Sequence, residues 1–382
     1  MLTAALALLT ALQLLLWHRV CRPALVSRVA LAQHGPRLPS DPPPPSDPLP
    51  PAAPPVSLLV CFRNEATHLE ATLRACLAQD YSTFEVLAID DNSTDASAAI
   101  VRYLQRSHPH LRLLQPGPTR PGKKDALTAG IRAARHPLLL LTDADCTPAS
   151  DQWLRRMTAP LSQGNELVLG CSPYRYAPGP LACWQRFEAT CTVLQYQGLA
   201  RLGLPYMGVG RNLAYHRDFF TRNHGFTGHT DLAGGDDDLL INHAARPTHT
   251  ARVTDPAAWT YSEPTPTPGA YLRQKWRHQS AGAHYRPLHR WLLAGLALTH
   301  GLFYLLGAYL LFVGVWAALC CYFLRAAVVL HVYHQPRTVQ YLGGDAGGSR
   351  SVRWPAILIA DLLLAPYYIF LLAVSVVPRR KW

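Results

Sequence analysis

The chain has 382 residues, a formal charge of +12 from 36 Lys+Arg against 24 Asp+Glu, and 49% hydrophobic but only 16% charged residues. Soluble domains carry about a quarter charged residues, so a polar region is averaged here with an apolar one. Disorder over the whole chain is excluded by the apolar content, and a disulfide-stapled mini-protein by length and by nine cysteines without a CxxC spacing. In chain order, Met1 to Trp17 carry no charge, and His18, Arg19 and Arg22 follow at once. A secretory signal puts its positive charges first, so residues 1–22 are expected to form an uncleaved transmembrane anchor with a cytoplasmic basic flank. Residues 36–55 are dominated by proline, which forms neither helix nor ladder, and are expected to be an extended linker.

Residues 56–290 have the patterning of an α/β unit. Apolar, β-prone runs recur at Val56–Val60, Phe84–Ile89, Leu111–Leu114, Leu138–Leu141 and Leu167–Leu169. Amphipathic stretches separate them at Thr67–Ala78, Ser93–Gln105, Lys124–Ala134 and Gln152–Leu161. Strands alternating with helices of this length predict βαβ units and a parallel sheet. Residues 291–333 hold Arg325 as their one formal charge, which suits a hairpin of two transmembrane helices. A polar loop (334–353) follows, and then a last apolar membrane segment with a basic tail (354–382). That segment contains Pro355, Asp361 and Pro366. Spanning from the inside would put its basic tail outside, against the positive-inside tendency; a broken or re-entrant segment would resolve the conflict.

In open α/β sheets ligands sit beyond the carboxyl ends of the strands. Those ends carry Arg63, Asn64 and Glu65, then Asp90, Asp91, Asn92, Ser93, Thr94 and Asp95, then Asp143, Ala144 and Asp145. Part of the second group caps the next helix, a task that needs only one such side chain. In an extended chain Asp143 and Asp145 face one side, where both carboxylates can reach one hard cation, Mg2+ or Mn2+. Lys123 and Lys124, two of only four lysines, follow Gly122 at a helix start, a setting that suits phosphate oxygens. Gly234-Gly235-Asp236-Asp237-Asp238 enters a further helix with more acid than capping requires, and one of these groups can serve as a general base. Gln274-Lys275-Trp276-Arg277-His278 can grip a diphosphate or lie at a membrane interface.

Taken in order, these residues resemble the family 2 glycosyltransferases of bacterial type, inverting enzymes of the GT-A fold. The likeness rests on Val56–Val60 with Asn64-Glu65, Ile89–Asp95, Gly122–Lys124, Asp143–Asp145, Gly208-Val-Gly210-Arg-Asn212, Gly235–Asp238 and Gln274–His278. It implies a Rossmann-like GT-A domain binding a nucleotide-diphospho-sugar, flanked by N-terminal and C-terminal transmembrane helices. Asp91 would bond the base in a pocket lined near Cys61, Arg63 and Glu65. Asp143 would lie near the ribose or sugar, and Asp145 would ligate Mn2+ or Mg2+ with it. Lys123 and Lys124 would contact the donor. Asp237 matches the family's general base, with Asp236 at the preceding acidic position and a third acid following. Gln274 and Arg277 match the Q-x-x-R-W motif as diphosphate or acceptor-side contacts, with His278 in place of its Trp.

The activity expected is transfer of a sugar to a hydroxyl of a lipid-linked or membrane-delivered acceptor. The protein is expected to be multi-pass in the cell membrane, against its lipids, with the catalytic domain on the cytoplasmic face. A processive polysaccharide synthase is the alternative within the same chemistry, and a silent nucleotide-binding scaffold the alternative outside it. Glycoside hydrolysis, which uses a carboxyl pair flanking the scissile bond, is disfavoured. The 56–290 block holds 25 basic and 20 acidic residues, so the positive excess sits mainly beside the apolar segments. That distribution indicates membrane topology and a phosphate grip, with no nucleic acid as partner.

Overall fold

The structure is a computed structural model that describes residues 1–25, 53–120, 122–232, 234–343 and 354–376. Nearly all of the expected proline linker, the Gly-rich half of the polar loop and the basic tail lie outside the described residues. Helix α1 (Leu2–Leu16) continues through a π-helical turn, Trp17–Cys21. Then β1 (Val56–Phe62), α2 (Leu69–Leu77), β2 (Phe84–Asp90), α3 (Ser97–Gln105), β3 (Leu111–Leu114), α4 (Lys124–Ala133) and β4 (Leu138–Asp143) alternate as the patterning predicts. Next come β5 (Cys146–Pro148), α5 (Trp153–Ser162), β6 (Leu167–Leu169) and the long α6 (Pro180–Arg201). The block is completed by β7 (Leu213–His216), α7 (Arg217–Arg222), α8 (Asp238–Ala244), β8 (Thr250–Arg252), β9 (Thr260–Ser262) and α9 (Pro268–Gly282). Four further helices follow: α10 (Pro287–Phe312), α11 (Ala318–Tyr333), α12 (Pro336–Gly343) and α13 (Trp354–Val376).

The main sheet has seven strands in the order β3-β2-β1-β4-β7-β6-β8. The expected parallel sheet is found only in part. Strands β1 to β4 pair in parallel, but β7 runs antiparallel to both β4 and β6. The short β7, β8 and β9, and β5 after them in the small second sheet, have too little periodicity to be read from sequence. Register sets the site: Cys61 lies opposite Ile89 on one side and Asp143 on the other, and Phe62 lies opposite Asp90. The polar ends of β1, β2 and β4 therefore share one edge.

Both faces of the sheet are covered, which is why its strands read as continuous apolar runs. Leu58, Val60, Val86 and Leu140 pack with Trp153, Leu154 and Met157 of α5 and with Val101 and Leu104 of α3. On the other face Leu59, Leu87, Ile89, Leu139 and Leu141 meet α4 and α6. This second core does not stop at the domain boundary. It runs on through Phe187 and Val193 to Trp17, Val20, Val329, Tyr333, Tyr341 and Ile357. At the junction a Cβ on Gly198 would stand 2.3 Å from the Val20 carbonyl oxygen, so α6 approaches the end of the N-terminal helix at a distance only glycine allows.

Three helices are long and apolar enough to cross a membrane: Leu2–Cys21, Pro287–Phe312 and Trp354–Leu371. The expected hairpin falls on α10 and α11, of which only α10 reaches spanning length. Its second arm, α11, has 16 residues, or roughly 24 Å at 1.5 Å per residue, against a hydrocarbon core of about 30 Å. The start of the expected polar loop is helical, as α12. The last segment is one continuous helix through Pro366, so no break relieves the conflict with its basic tail. The charges inside the apolar region pair with each other. The Arg325 guanidinium, 1% exposed, forms an ion pair with Asp361, 0% exposed. It also donates to Tyr304 Oη (2.8 Å) and Gln13 Oε1 (3.2 Å) and meets His300 Nδ1 (2.9 Å).

Candidate active site

The loops after β1 and β2 interlock. Asn64 and Asn92 adopt φ of 57° and 60°, a left-handed conformation that asparagine tolerates. The Asn64 amide donates to Ser93 Oγ (3.0 Å), and Thr94 N donates to Asn64 Oδ1 (2.8 Å). Asp95 accepts from Ser97 N (3.0 Å) and Ala66 N (3.1 Å), and Asp90 accepts from Ser93 N (2.8 Å) and Gln115 Nε2 (2.9 Å). Capping and loop closure thus fall to Asp90 and Asp95. Asp91 is left for another purpose: it is buried at 4% exposure, and its carboxylate accepts from Thr119 Oγ1.

Cys61 sits beside it at the edge of β1, its thiol pushed up to about 12 by burial. Arg63 is exposed, with its side chain at the rim. Glu65 is held above the usual carboxylate range by burial and then by the charge of Asp145.

Lys123 is the hub of the polar edge. Its ammonium lies 3.0 Å from Asp143 Oδ1 and 2.9 Å from Asp236 Oδ2, joining the end of β4 to the loop before α8. Burial alone would depress it, but Asp143, Asp236 and Asp237 together keep it firmly cationic. Lys124 has a different task from the one expected of it. Its buried ammonium donates to the carbonyls of His229 (2.5 Å), Leu232 (2.9 Å) and Gly234 (2.7 Å). An ammonium has three donors, so none is left for a phosphate. The doublet therefore divides, Lys123 toward the acids and Lys124 into the loop that leads to them.

That loop ends in the three acids. A Cβ on Gly234 would stand 2.5 Å from the Arg277 carbonyl, so α9 requires glycine there, and Gly235 is required by its φ of 79° and by Leu239, 2.8 Å from where its Cβ would be. Asp237 caps α8: Oδ1 accepts from Asp238 N (2.9 Å) and Oδ2 accepts from Gly210 N. The neighbouring acids differ in chemistry. Burial pushes Asp236 up, but the Lys123 ammonium outweighs it and holds the carboxyl below the usual range. Asp237 is raised to about 6 by burial and by the charge of Asp236. Asp238 is raised well above that range by burial and its two acidic neighbours, and it faces Tyr285.

From α9, Gln274 Oε1 accepts from Thr265 Oγ1 (3.3 Å), and the Arg277 side chain is exposed. Lys275 turns away to a buried ion pair with Glu188 of α6. His278, next on α9, is exposed.

Residues 57–223 match the family described as glycosyl transferase family 2. Over those residues the chain matches a family 2 glycosyltransferase domain. Among similar proteins, glycosyltransferase AglE of Haloferax volcanii is 28% identical over 172 residues, 44% of this chain and 53% of that protein. Succinoglycan biosynthesis protein ExoO of Rhizobium meliloti is 37% identical over 104 residues, 27% of this chain and 29% of that one. The chain thus spans about half the length of the first relative and under a third of the second. A solved mannosyltransferase, PcManGT from Pyrobaculum calidifontis in complex with GDP-Man and Mn2+, superposes with a TM-score of 0.56 at 21% identity over 96% of this chain and 99% of that one. The two share the GT-A fold.

The glycosyltransferase domain offers one group of metal-capable side chains among the described residues: Asp143, Asp145 and Cys146, with ligand atoms within 4.8 Å of one another. The expected extended Asp-Ala-Asp is bent, because Asp143 ends β4 and Asp145 lies in the turn before β5. The two carboxylates stay together all the same. Burial pushes the Cys146 thiol well above its usual value, and its Sγ donates to Asp145 Oδ1 at 3.4 Å. Two carboxylate ligands and open positions suit Mg2+ or Mn2+ rather than a sulfur-seeking metal.

One residue at the site has no role in the sequence reading. Arg211, inside the Gly208–Asn212 motif, lies between β7 and the acids with its guanidinium 4.9 Å from the Tyr174 ring centroid. Its only signal in the sequence is its position between Gly210 and Asn212.

Proposed function

We propose that this chain is an inverting glycosyltransferase that moves a sugar from a nucleotide-diphospho-sugar to a hydroxyl of a lipid-linked or membrane-delivered acceptor at the cytoplasmic face. The observation that carries the reading is the contrast between two adjacent carboxyls. Asp236 is neutralised by Lys123, whereas Asp237 is raised to about 6 and oriented by the Gly210 and Asp238 amides. A base near neutrality with one preferred direction is what proton removal from an acceptor hydroxyl requires.

Asp91, Cys61, Arg63 and Glu65 form the proposed nucleoside end of the donor site. Lys123, Gln274 and Arg277 are proposed to contact the donor on the far side of the sheet edge. Asp145 with Asp143 would hold Mn2+ or Mg2+, which when bound offsets charge on the departing diphosphate. The acceptor oxygen attacks C1 from the face opposite the leaving group and gives its proton to Asp237. One displacement inverts the anomeric carbon. Membrane delivery of the acceptor is supported by the packing of α9 on α13, where Tyr271 Oη lies 2.8 Å from Tyr367 Oη. The basic flank of the N-terminal helix supports a cytoplasmic domain, since Arg201 of α6 bonds the Arg19 carbonyl at 2.7 Å and so ties the domain to that flank.

The test is a donor screen by nucleoside-diphosphate release in detergent, with lipid extract as acceptor source and Mn2+, Mg2+ or EDTA present. Release that needs metal and is lost in Asp145→Ala and Asp237→Asn is expected, with one lipid product of inverted configuration. Release by Asp237→Asn at the wild-type rate would overturn the base assignment, and undiminished release in EDTA the metal assignment. A ladder of long products would point to a polysaccharide synthase.

A further inference from the structure

Arg211 is built into the site more rigidly than its surroundings require. Its carbonyl accepts from Thr142 Oγ1 and Thr260 Oγ1, both at 3.0 Å. The next residue, Asn212, is fully buried and donates to the carbonyls of Cys171 and Ala258 at 2.8 Å, while Trp153 Nε1 donates to its side-chain oxygen at 3.0 Å. The preceding residue, Gly210, orients Asp237 through its amide. The backbone on both sides is thus anchored, and the side chain is aimed by stacking on the buried Tyr174 ring.

Despite this, Nη1 of Arg211 is buried and has no hydrogen-bond partner among the described residues. A buried guanidinium N–H without an acceptor is costly and calls for a partner, and this one lies at the polar edge of the sheet, where a ligand can supply it. The groups facing it identify that ligand. Asp145 lies in its field, on the metal-capable side. Lys123, at the start of α4, brings a second cation to the same acidic edge through Asp143 and Asp236. A phosphate oxyanion would satisfy both the planar donor fork and a cation that Asp143 and Asp145 would hold.

We propose that Arg211 binds a phosphate oxyanion of the donor diphosphate and holds it as the leaving group. This rests on the glycosyltransferase reading above and adds a residue to it. In the transfer step the bond from C1 to the phosphate oxygen breaks and its electron pair stays on the nucleoside diphosphate. The acceptor oxygen bonds to C1, and its proton passes to Asp237. The new negative charge appears beside Arg211. The Gly210–Asn212 turn therefore carries both ends of the displacement, the base through an amide and the leaving group through a side chain.

The test is calorimetric titration of UDP and of GDP, each with Mn2+, into the full chain in detergent. For the nucleotide that wild type binds, Arg211→Met is expected to weaken binding about ten- to a hundredfold and Arg211→Lys less, because Lys keeps the charge but loses the fork. Thermal melting of each variant separates lost binding from lost fold, and Arg211→Lys carries the test if the Met variant does not fold. Unchanged binding in Arg211→Met, with wild type binding and Asp145→Ala deficient, overturns this proposal and leaves the donor site standing. An unchanged nucleotide affinity with a raised KM for a phosphate-bearing acceptor also overturns it, by assigning the oxyanion to the acceptor. If wild type binds neither nucleotide, the underlying reading falls with it.

Discussion

Asp237 and Lys124 show how little a residue's type says about its task until its neighbours are known. A carboxylate that accepts a proton must be ionised, so a base raised to about 6 loses function as pH falls through that value. We expect kcat/KM to drop about tenfold per unit below pH 6 and to be flat above it until another group titrates. Asp237→Asn should abolish turnover by about a hundredfold or more while nucleoside-diphosphate affinity stays within a few fold, as titration calorimetry will check. Asp236→Asn should act differently, because it leaves Lys123 paired with Asp143 alone and removes the charge that raises Asp237; the acid limb of its pH profile should move to lower pH. Lys124 spends its three bonds on the carbonyls of 229, 232 and 234. Lys124→Met removes charge-assisted bonds worth about 1.5–3 kcal/mol each before relaxation. It should loosen that loop and appear as faster protease cleavage between α7 and α8, with a lowered melting temperature. Both lysines of the doublet were legible as important, but sequence gave no means of dividing them, since the partners of Lys124 lie more than a hundred residues away.

Among the elements, the central βαβ succession is the part that periodicity makes visible. Apolar runs buried on both faces and amphipathic helices of ordinary length fell within a few residues of β1–β4, β6 and α2–α5. The departures have separate causes. Strand β7 follows the long α6 and runs antiparallel to both of its neighbours, β4 and β6, a direction set by which strands it pairs with. Helix α11 is shorter than a span because the chain turns at Gly314, φ 86°, and reaches the domain surface by Tyr333. The ion pair of Arg325 on α11 with Asp361 on α13, joined by Gln13 on α1 and Tyr304 on α10, fastens four helices at one point. Removing one partner of a buried pair strands the other and costs about 3–5 kcal/mol, whereas replacing both by apolar residues of similar size is often neutral. Arg325→Met is accordingly expected to lower thermal stability in detergent sharply, and Arg325→Met with Asp361→Leu to recover most of the loss. Equal losses in the single and double variants would show that the pair is not the fastening.

At the scale of the molecule, the terminal apolar helices and the glycosyltransferase domain share one hydrophobic core. Trp17, Val329, Tyr333, Tyr341 and Ile357 belong to the same core cluster as the sheet residues Leu59, Leu139 and Leu141. Phe187 stacks on Tyr333 at 5.4 Å between ring centroids. A chain ended at residue 290 should therefore expose the membrane-facing side of α6 and fail to give a monodisperse, cooperatively melting domain in the absence of detergent. Full-length protein should unfold in one transition, with loss of the domain's near-UV signal and of the helical far-UV signal at the same temperature. Two separated transitions would mean that the shared core is not cooperative. The charge excess fits this architecture, since it flanks apolar helices that must be held in register with a basic site.

What the residue sequence determined by itself is local: where apolar runs alternate, where proline and glycine stop them, which short polar strings stand at strand ends, and hence the family likeness. These follow from nearest-neighbour chemistry and periodicity, which act over one or two turns. Tertiary structure alone decided which acid pairs with Lys123 and which is raised by burial beside it, which lysine faces the acids, that β7 runs backwards, and that Arg211 keeps a buried donor unused. Each of these depends on burial and on partners brought together across tens to hundreds of residues. Desolvation and Coulomb energies exist only once those groups meet.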